Sequence, residues 1–301
     1  MMAIGFAGSK TGAVAELLMM FPRSAVGVKS NRTVKDAWPW NLRRFSLRFI
    51  ATLAPGTILQ LISGVLRIHA LGRMYARGTN GLLTGNAAEP RRLAILALLA
   101  SMGDRGIPVD TVTALLWPGA EPPQPRVFLH RAIWLLERDL GVQAILRHST
   151  LLRLNTDVIS SDVAEFESAL AQRELDLAES RYGGQFLDGF YLTDAPEFER
   201  WVEGERTRLA GHYLELLEQL ARRATDREDH HGAVQWWRKL ATRDPLNARV
   251  TLDLMRALER VGDRTNALRQ AKLYEVLVEQ HLDAPLDRQV ISLAAELKLA
   301  G

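Results

Sequence analysis

The sequence has 301 residues, which is enough for two domains that each have a hydrophobic core. It contains no cysteine, which excludes disulfide scaffolds and thiolate metal sites and suits the cytoplasm, where we expect the protein to lie. The net charge of +3 is unevenly divided: residues 1–65 carry 8 Lys and Arg against 2 Asp and Glu, residues 66–160 carry 11 against 7, and residues 161–301 carry 19 against 26. A basic first half and an acidic second half predict different partners, with a polyanion for the first.

Residues 1–64 show no sustained apolar periodicity, and we predict a poorly ordered leader with no assigned function. The stretch from Phe49 to Leu66 is uncharged over 18 residues, the lower limit for a membrane-spanning helix. Pro55-Gly56 and several polar residues interrupt this stretch, so no membrane association is predicted.

Residues 65–158 have the pattern of a winged helix–turn–helix. Apolar Leu66, Ile68 and Ala70 alternate with polar residues, and Asn80-Gly81 follows, which indicates a β-hairpin. Helical spacing then predicts three helices, at residues 91–102, 109–117 and 124–140. Two short strands around residues 148–150 predict a terminal hairpin.

The third predicted helix has one apolar face and one basic face. Leu129, Ile133, Leu136 and Leu140 form a buried stripe, and at about 100° per residue the arginines fall on the opposite side. A helix of this kind can enter the major groove of DNA, where arginine binds the guanine edge, while the hairpin reaches phosphates. The predicted DNA-contacting residues are Arg126, His130, Arg131, Trp134, Arg138, Arg147, His148 and Arg153. Exposed arginines are also typical of an ordinary solvated helix face, and Leu135 and Glu137 dilute this one.

Residues 160–301 are predicted to be entirely helical, with an internal repeat. "DHHGAV" at Asp229 and "DRTNAL" at Asp263 are 34 residues apart, which is the period of tetratricopeptide helix pairs. Such repeats build a concave surface that binds proteins or peptides. The predicted helices span residues 162–171, 198–223, 232–242, 247–261 and 265–281.

The residues that catalysis needs are not arranged in any recognisable pattern. There is no G-x-S-x-G sequence, and His230 and His231 are adjacent, so they point apart on a helix. The sequence therefore predicts a protein that is not an enzyme, with no catalytic residue, no metal site and no cofactor.

Several segments resemble one family in order and spacing. They are "RRLAILALLA", "TALLWP", "ERDLG", "LLRLN" followed by "SSDVAEFESAL", "SRYGGQFLDGFYLTDAPEFERWVEGERTRL" and "RDPLNARVTLDLMRALERVGDRTNAL". Together they resemble transcription regulators of the Streptomyces antibiotic regulatory protein (SARP) type. The resemblance implies a mainly α fold, in which a winged helix precedes a bacterial transcriptional activator domain of tetratricopeptide-like helices.

The resemblance also implies a function. A SARP-type protein is a sequence-specific DNA-binding activator that recruits RNA polymerase, often at direct repeats near promoters. The third helix would be the recognition helix, and the loop with Trp117, Pro118, Glu121 and Pro122 would face the polymerase. The acidic helical domain would contact another protein or form a homodimer.

A second interpretation stays open at this point: a tetratricopeptide-type protein-interaction adaptor whose winged helix no longer binds DNA. The division of charge, Arg131 and Arg138 favour the regulator, whereas Leu135 and Glu137 favour the adaptor.

Overall fold

Seven strands and ten α-helices lie in the part of the chain that the computed structural model describes, which comprises residues 66–78, 81–282 and 285–299. The predicted leader, residues 1–64, lies outside the described residues. The strands are β1 (Leu66–His69), β2 (Tyr75–Gly78), β3 (Gly81–Leu82), β4 (Ile107–Pro108), β5 (Ile145–His148), β6 (Leu151–Leu154) and β7 (Ile159–Ser161). The α-helices are α1 (Pro90–Met102), α2 (Val109–Leu116), α3 (Gln124–Leu140), α4 (Asp162–Ala171), α5 (Leu175–Arg181), α6 (Pro196–Asp226), α7 (His230–Arg243), α8 (Ala248–Arg260), α9 (Arg264–His281) and α10 (Arg288–Leu299). Two 3-10 helices span Gly85–Ala88 and Gly103–Arg105.

The first sheet has the strand order β3-β2-β1-β7. The predicted alternation is present, because Leu66 and Ile68 of β1 are fully buried, whereas Arg67 and His69 are partly exposed. Strand β1 pairs antiparallel with β2 and parallel with β7. The Asn-Gly signal belongs to the next strand pair, since Gly78 of β2 lies opposite Gly81 of β3, while Asn80 lies outside the described residues.

The winged helix is built around α1, which packs against β6, α2, α3 and α4. Every residue from Arg92 to Ser101 is buried, as the all-round apolar pattern of this helix predicts. The carboxylate of Glu89 caps the helix by accepting hydrogen bonds from the backbone N–H groups of Arg91 and Arg92. Strands β4, β6 and β5 then form the second sheet, with the β5–β6 hairpin at its end.

The helical part confirms the 34-residue repeat. Asp229 and Asp263 cap α7 and α9 in the same way, each accepting a hydrogen bond from the backbone N–H three residues later. Ala233 and Ala267 follow at equivalent positions and are buried, which lets the paired helices approach closely. The tetratricopeptide-like prediction and the mainly α fold class are thus confirmed.

Two helices in this part had not been predicted. Helix α5 has only seven residues, which is too short for helical periodicity to show. Helix α10 is the last of the described helices. None of the helices in the described ranges is long and apolar enough to cross a membrane, and the uncharged stretch before Leu66 lies outside those ranges.

The winged helix and the helical part share one hydrophobic core and are joined at the end of β1. The buried carboxylate of Asp162, the first residue of α4, accepts hydrogen bonds from the backbone N–H groups of Ala70 (2.9 and 3.0 Å) and Leu71 (3.1 Å). Burial raises the pKa of Asp162 above its ordinary value, and the same backbone donors oppose that rise. Gly183 packs against this junction, where a Cβ atom would lie 2.7 Å from the carbonyl oxygen of Leu71.

The substitution Asp162→Ala tests the importance of this junction. It leaves two buried N–H groups without an acceptor, so we expect the free energy of unfolding to fall by roughly 2–4 kcal/mol. Urea denaturation followed by circular dichroism measures the change. Asp176→Ala is the matched control, because it removes an exposed carboxylate that is paired with Arg223, and it is expected to cost about 1 kcal/mol or less. Equal losses for the two variants would contradict the role given to Asp162.

Candidate nucleic-acid interface

Helix α3 has the two faces that its sequence predicts. Leu129, Ile133 and Leu136 are fully buried, and Leu140 is partly buried where the helix ends at Gly141. Gly141 ends the helix in a left-handed conformation, with φ of 68°. The opposite face is exposed to solvent, with Trp134 59% and Val127 57% accessible. Arg126, His130, Arg131 and Arg138 are also exposed on or beside this face, as are Gln124 and Phe128.

The arginines of this face differ in the contacts they make. Arg126 pairs with Asp110 of α2 at 2.7 Å, and Arg138 pairs with its neighbour Asp139 at 2.7 Å. The guanidinium of Arg138 also lies over the Trp134 ring, 5.2 Å from its centroid. Arg131 makes no hydrogen bond or ion pair with any described residue, so all of its donors face solvent. Arg131 is therefore the residue of this face that is best prepared to bind an external acceptor.

Glu137 fastens the β5–β6 hairpin to α3. One of its carboxylate oxygens accepts a hydrogen bond from the backbone N–H of Ile145 at 3.1 Å, and the other pairs with Arg147 at 2.7 Å. The sequence alone indicates only that Glu137 is an acidic residue that dilutes the basic face. In the structure it fixes the position of β5 relative to the basic helix. No local pattern signals this role, because it depends on a contact with β5, a different element.

The structure does not bring all the predicted hairpin residues together. Arg147 lies opposite Leu152 in the β5–β6 register, and Arg153 is the next residue after Leu152, so the two arginines are on opposite faces of the hairpin. Arg153 packs over Gly106, where a Cβ atom would lie 2.7 Å from its Cγ, and its Nε is buried without a hydrogen-bond partner. His148 is exposed beside the turn between the strands. Arg147 and His148 are therefore accessible, whereas Arg153 is partly buried.

The loop between α2 and α3 presents only part of its predicted surface. Trp117 is partly buried and lies between the ring of Phe128, at a centroid distance of 6.2 Å, and the guanidinium of Arg91, at 5.8 Å. Pro118, Glu121 and Pro122 are exposed. Trp117 therefore anchors the loop, and the three other residues form its accessible surface.

Within the residues that the structure describes, no group of three or more His, Asp or Glu side chains could hold a metal ion. The exposed basic groups of α3 and the adjoining hairpin, among them Arg131, Arg138 and Arg147, are instead the candidate binding surface of the winged helix. Guanidinium groups, an indole ring and a helix of 17 residues are suited to binding a phosphate backbone and base edges.

Comparisons with known proteins agree with this architecture. Residues 152–298 match the family described as "Bacterial transcriptional activator domain". Among solved structures, the chain is similar to Mycobacterium tuberculosis EmbR in complex with a low-affinity phosphopeptide, with a TM-score of 0.59 and 18% sequence identity. The match covers 78% of this chain, and the chain spans 65% of the length of that structure. At this identity the likeness shows the fold. No curated protein matches the sequence.

The described chain therefore has a winged helix followed by tetratricopeptide-like helix pairs. The activator-domain match and the likeness in fold confirm the resemblance to SARP-type transcription regulators that was drawn from the sequence. The activator-domain match begins at residue 152, within β6, so it overlaps the range predicted for the winged helix. The predicted domain limits, 65–158 and 160–301, stay predictions.

The substitution Glu137→Ala tests whether Glu137 holds the hairpin. It removes the acceptor for the Ile145 amide, and we expect hydrogen exchange at Ile145 to accelerate about tenfold, which corresponds to the loss of one hydrogen bond. Exchange is measured residue by residue by NMR. Asp110→Ala is the control, because it breaks the exposed pair with Arg126 and leaves the hairpin untouched. Unchanged exchange at Ile145 in the Glu137 variant would rule out the fastening contact.

Proposed function

We propose that the chain is a sequence-specific DNA-binding activator that recruits RNA polymerase to promoters. The observation that carries the proposal is the exposed outer face of α3, which presents Arg131 without an internal partner. In this proposal α3 enters the major groove and Arg131 reads a base edge, while Arg126, His130, Trp134 and Arg138 complete the contact surface. Arg147 and His148 reach backbone phosphates beside the groove. Arg153 joins them only if its side chain leaves Gly106.

The ion pairs on this face are compatible with DNA binding. The pair of Arg126 with Asp110 is exposed on both sides, and such pairs are worth about 1 kcal/mol or less. The carboxylate of Asp139 also pairs with Arg92 at 3.4 Å, so it keeps a partner when Arg138 leaves it. A DNA phosphate backbone carries a dense negative charge, and counterion release favours its binding to arginine. The arginines can therefore exchange an internal carboxylate for a phosphate at small cost.

One observation favours the second candidate, the protein-interaction adaptor. Arg126, Arg138 and Arg147 all have carboxylate partners, which lowers the net positive charge of this surface. If those pairs persist in the presence of DNA, the winged helix binds it weakly and without sequence preference. The helical repeat then carries the function by binding a protein. Binding measured on defined duplexes separates the two candidates.

We assign the contact with polymerase to the exposed part of the loop after α2. Pro118, Glu121 and Pro122 are accessible there, and Trp117 holds the loop between Arg91 and Phe128. A variant with Gly-Ser at residues 121–122 is expected to bind promoter DNA normally and to lose activation in transcription with purified polymerase. Full activation by this variant would remove the loop from the proposal.

We also propose a homodimer through the helical domain, which suits binding to direct repeats. Ile291 (50% exposed) and Leu299 (88% exposed) lie on α10, at the end of the described repeat, where solenoid proteins usually present a polar surface. Analytical ultracentrifugation is expected to give twice the mass of the chain. A monomer at all concentrations would contradict the homodimer.

The substitution Arg131→Ala tests base reading directly. Loss of a bidentate base contact is expected to weaken binding to a selected site by roughly 1–3 kcal/mol, with little effect on unrelated duplexes. Fluorescence anisotropy with labelled duplexes measures both affinities. Arg105→Ala is the matched control, because Arg105 is exposed on the winged helix and lies outside the predicted contact set. An equal loss on every duplex would leave Arg131 with a phosphate contact only.

A further inference from the structure

A second basic surface lies on the first sheet and shares no residue with the predicted DNA-contacting set. Arg73, Tyr75 and Arg77 are exposed at alternate positions, while Ala76 between the last two is buried. Together with Leu82, Asp188 and Phe190 they line an open cavity of about 460 Å³. This volume lies within the range of small-molecule sites, roughly 300–1,000 Å³.

Both parts of the regulator contribute to this cavity. Arg73 lies on the segment that leads into β2. Its backbone forms an isolated parallel β-bridge with that of Asp188, on the segment that precedes α6. Around this bridge the backbone N–H of Asp188 donates to the carbonyl oxygen of Gly72 at 2.9 Å, and that of Gly72 donates to Gln185 at 3.0 Å. The cavity walls are therefore held by backbone hydrogen bonds, so the site exists before any ligand arrives.

The positive charges here are only partly compensated by carboxylates. Arg67 and Arg77 are directly opposite each other in the β1–β2 register, and like charges at such positions repel. Arg67 is neutralised by Glu165 at 2.7 Å, whereas Arg73 and Arg77 make no ion pair with any of the described residues. Asp188 is the one carboxylate among the lining residues of the cavity, which leaves it with an excess of one positive charge.

The neighbouring aromatic groups supply a planar contact. His69 stacks on Tyr75 with ring centroids 4.2 Å apart and planes 15° from parallel, which fixes the orientation of the tyrosine. The pKa of His69 is lowered by burial first and then by the charge of Arg67, with Glu165 opposing and Arg77 adding to the fall. The carboxylate of Asp162 also lies 3.7 Å from Nδ1 of His69, so the stacked pair is held from the side of β1 while Tyr75 stays exposed on the cavity side.

We propose that this cavity binds a small anion with a planar aromatic part, of the nucleoside monophosphate class. Arg73 and Arg77 hold the phosphate through charge-assisted hydrogen bonds, and Tyr75 and Phe190 contact the base. The carboxylate of Asp188 accepts a hydrogen bond from a ribose hydroxyl. A ligand in this position contacts both the winged helix and the helical part, and it therefore stabilises their junction. The site does not depend on the function proposed for α3.

Isothermal titration calorimetry of the full chain with adenosine 5′-monophosphate tests the proposal. We expect saturable binding that Arg73→Gln and Arg77→Gln each weaken about tenfold, in line with the loss of a charge-assisted hydrogen bond. Arg105→Gln removes an equal charge elsewhere on the winged helix and is expected to leave binding unchanged. Adenosine and inorganic phosphate, which each supply half of the ligand, are expected to bind more weakly than the nucleotide.

Three results would overturn the proposal. The first is no saturable binding of the nucleotide, and the second is an equal loss in the Arg105 variant, which would indicate non-specific attraction. The third is nucleotide binding that persists in the Arg73→Gln/Arg77→Gln double variant while DNA affinity falls, which would assign these arginines to DNA phosphates. All the substituted side chains are exposed, so circular dichroism is expected to show native helix content in each variant.

Discussion

The carboxylate of Asp162 is the contact on which the arrangement of the described chain depends. It begins α4 and accepts the backbone N–H groups of Ala70 and Leu71, which directly follow β1. A buried carboxylate is tolerated only where such donors stabilise it, so the start of the helical part has one favourable position relative to β1. Just before it, β7 joins the first sheet in parallel with β1. The winged helix and the helical repeat are therefore parts of one structure.

This connection has a consequence for regulation. Any group that binds across the junction changes the stability of both parts, since they share a sheet and a hydrophobic core. The cavity at Arg73, Tyr75 and Asp188 lies at this junction. The outer face of α3 belongs to a different surface, so the proposed anion and the proposed DNA would not compete for the same side chains.

The basic face of α3 combines a rigid frame with exchangeable contacts. Glu137 holds the hairpin through the Ile145 amide and Arg147, and Trp134 orients Arg138. These contacts limit the positions that the guanidinium groups can take, which would lower the entropy lost in the proposed binding of DNA. Arg131, which has no partner among the described residues, keeps its full set of donors for the ligand.

Much of the fold could be predicted from the sequence because it follows local periodicity. The buried stripe of α3, the all-round burial of α1 and the capped 34-residue repeat are all set by residues close together in the chain. Helix α10 has apolar Val290 and Leu297 two helical turns apart, and both side chains are buried, so its apolar spacing also indicates a helix. Helix α5 is too short to show a period.

The rest depends on contacts between distant residues. Asp162 could be placed at the start of a helix, but its acceptance of N–H groups 91 and 92 residues earlier has no local pattern. The same holds for Glu137, whose partners lie on another element. The opposite orientation of Arg147 and Arg153 follows from the strand register, which the sequence of a short hairpin leaves open. Candidate DNA contacts could therefore be named from the sequence, but not their accessibility.

Selection of random-sequence duplex DNA by the full chain, followed by sequencing and a salt titration, tests whether the basic face of α3 reads a DNA sequence. We expect an enriched motif, arranged as a direct repeat, with an affinity that falls steeply as salt rises because phosphate contacts release counterions. Weak binding without an enriched motif would contradict this expectation and would leave the helical repeat, with a protein partner, as the functional part of the molecule.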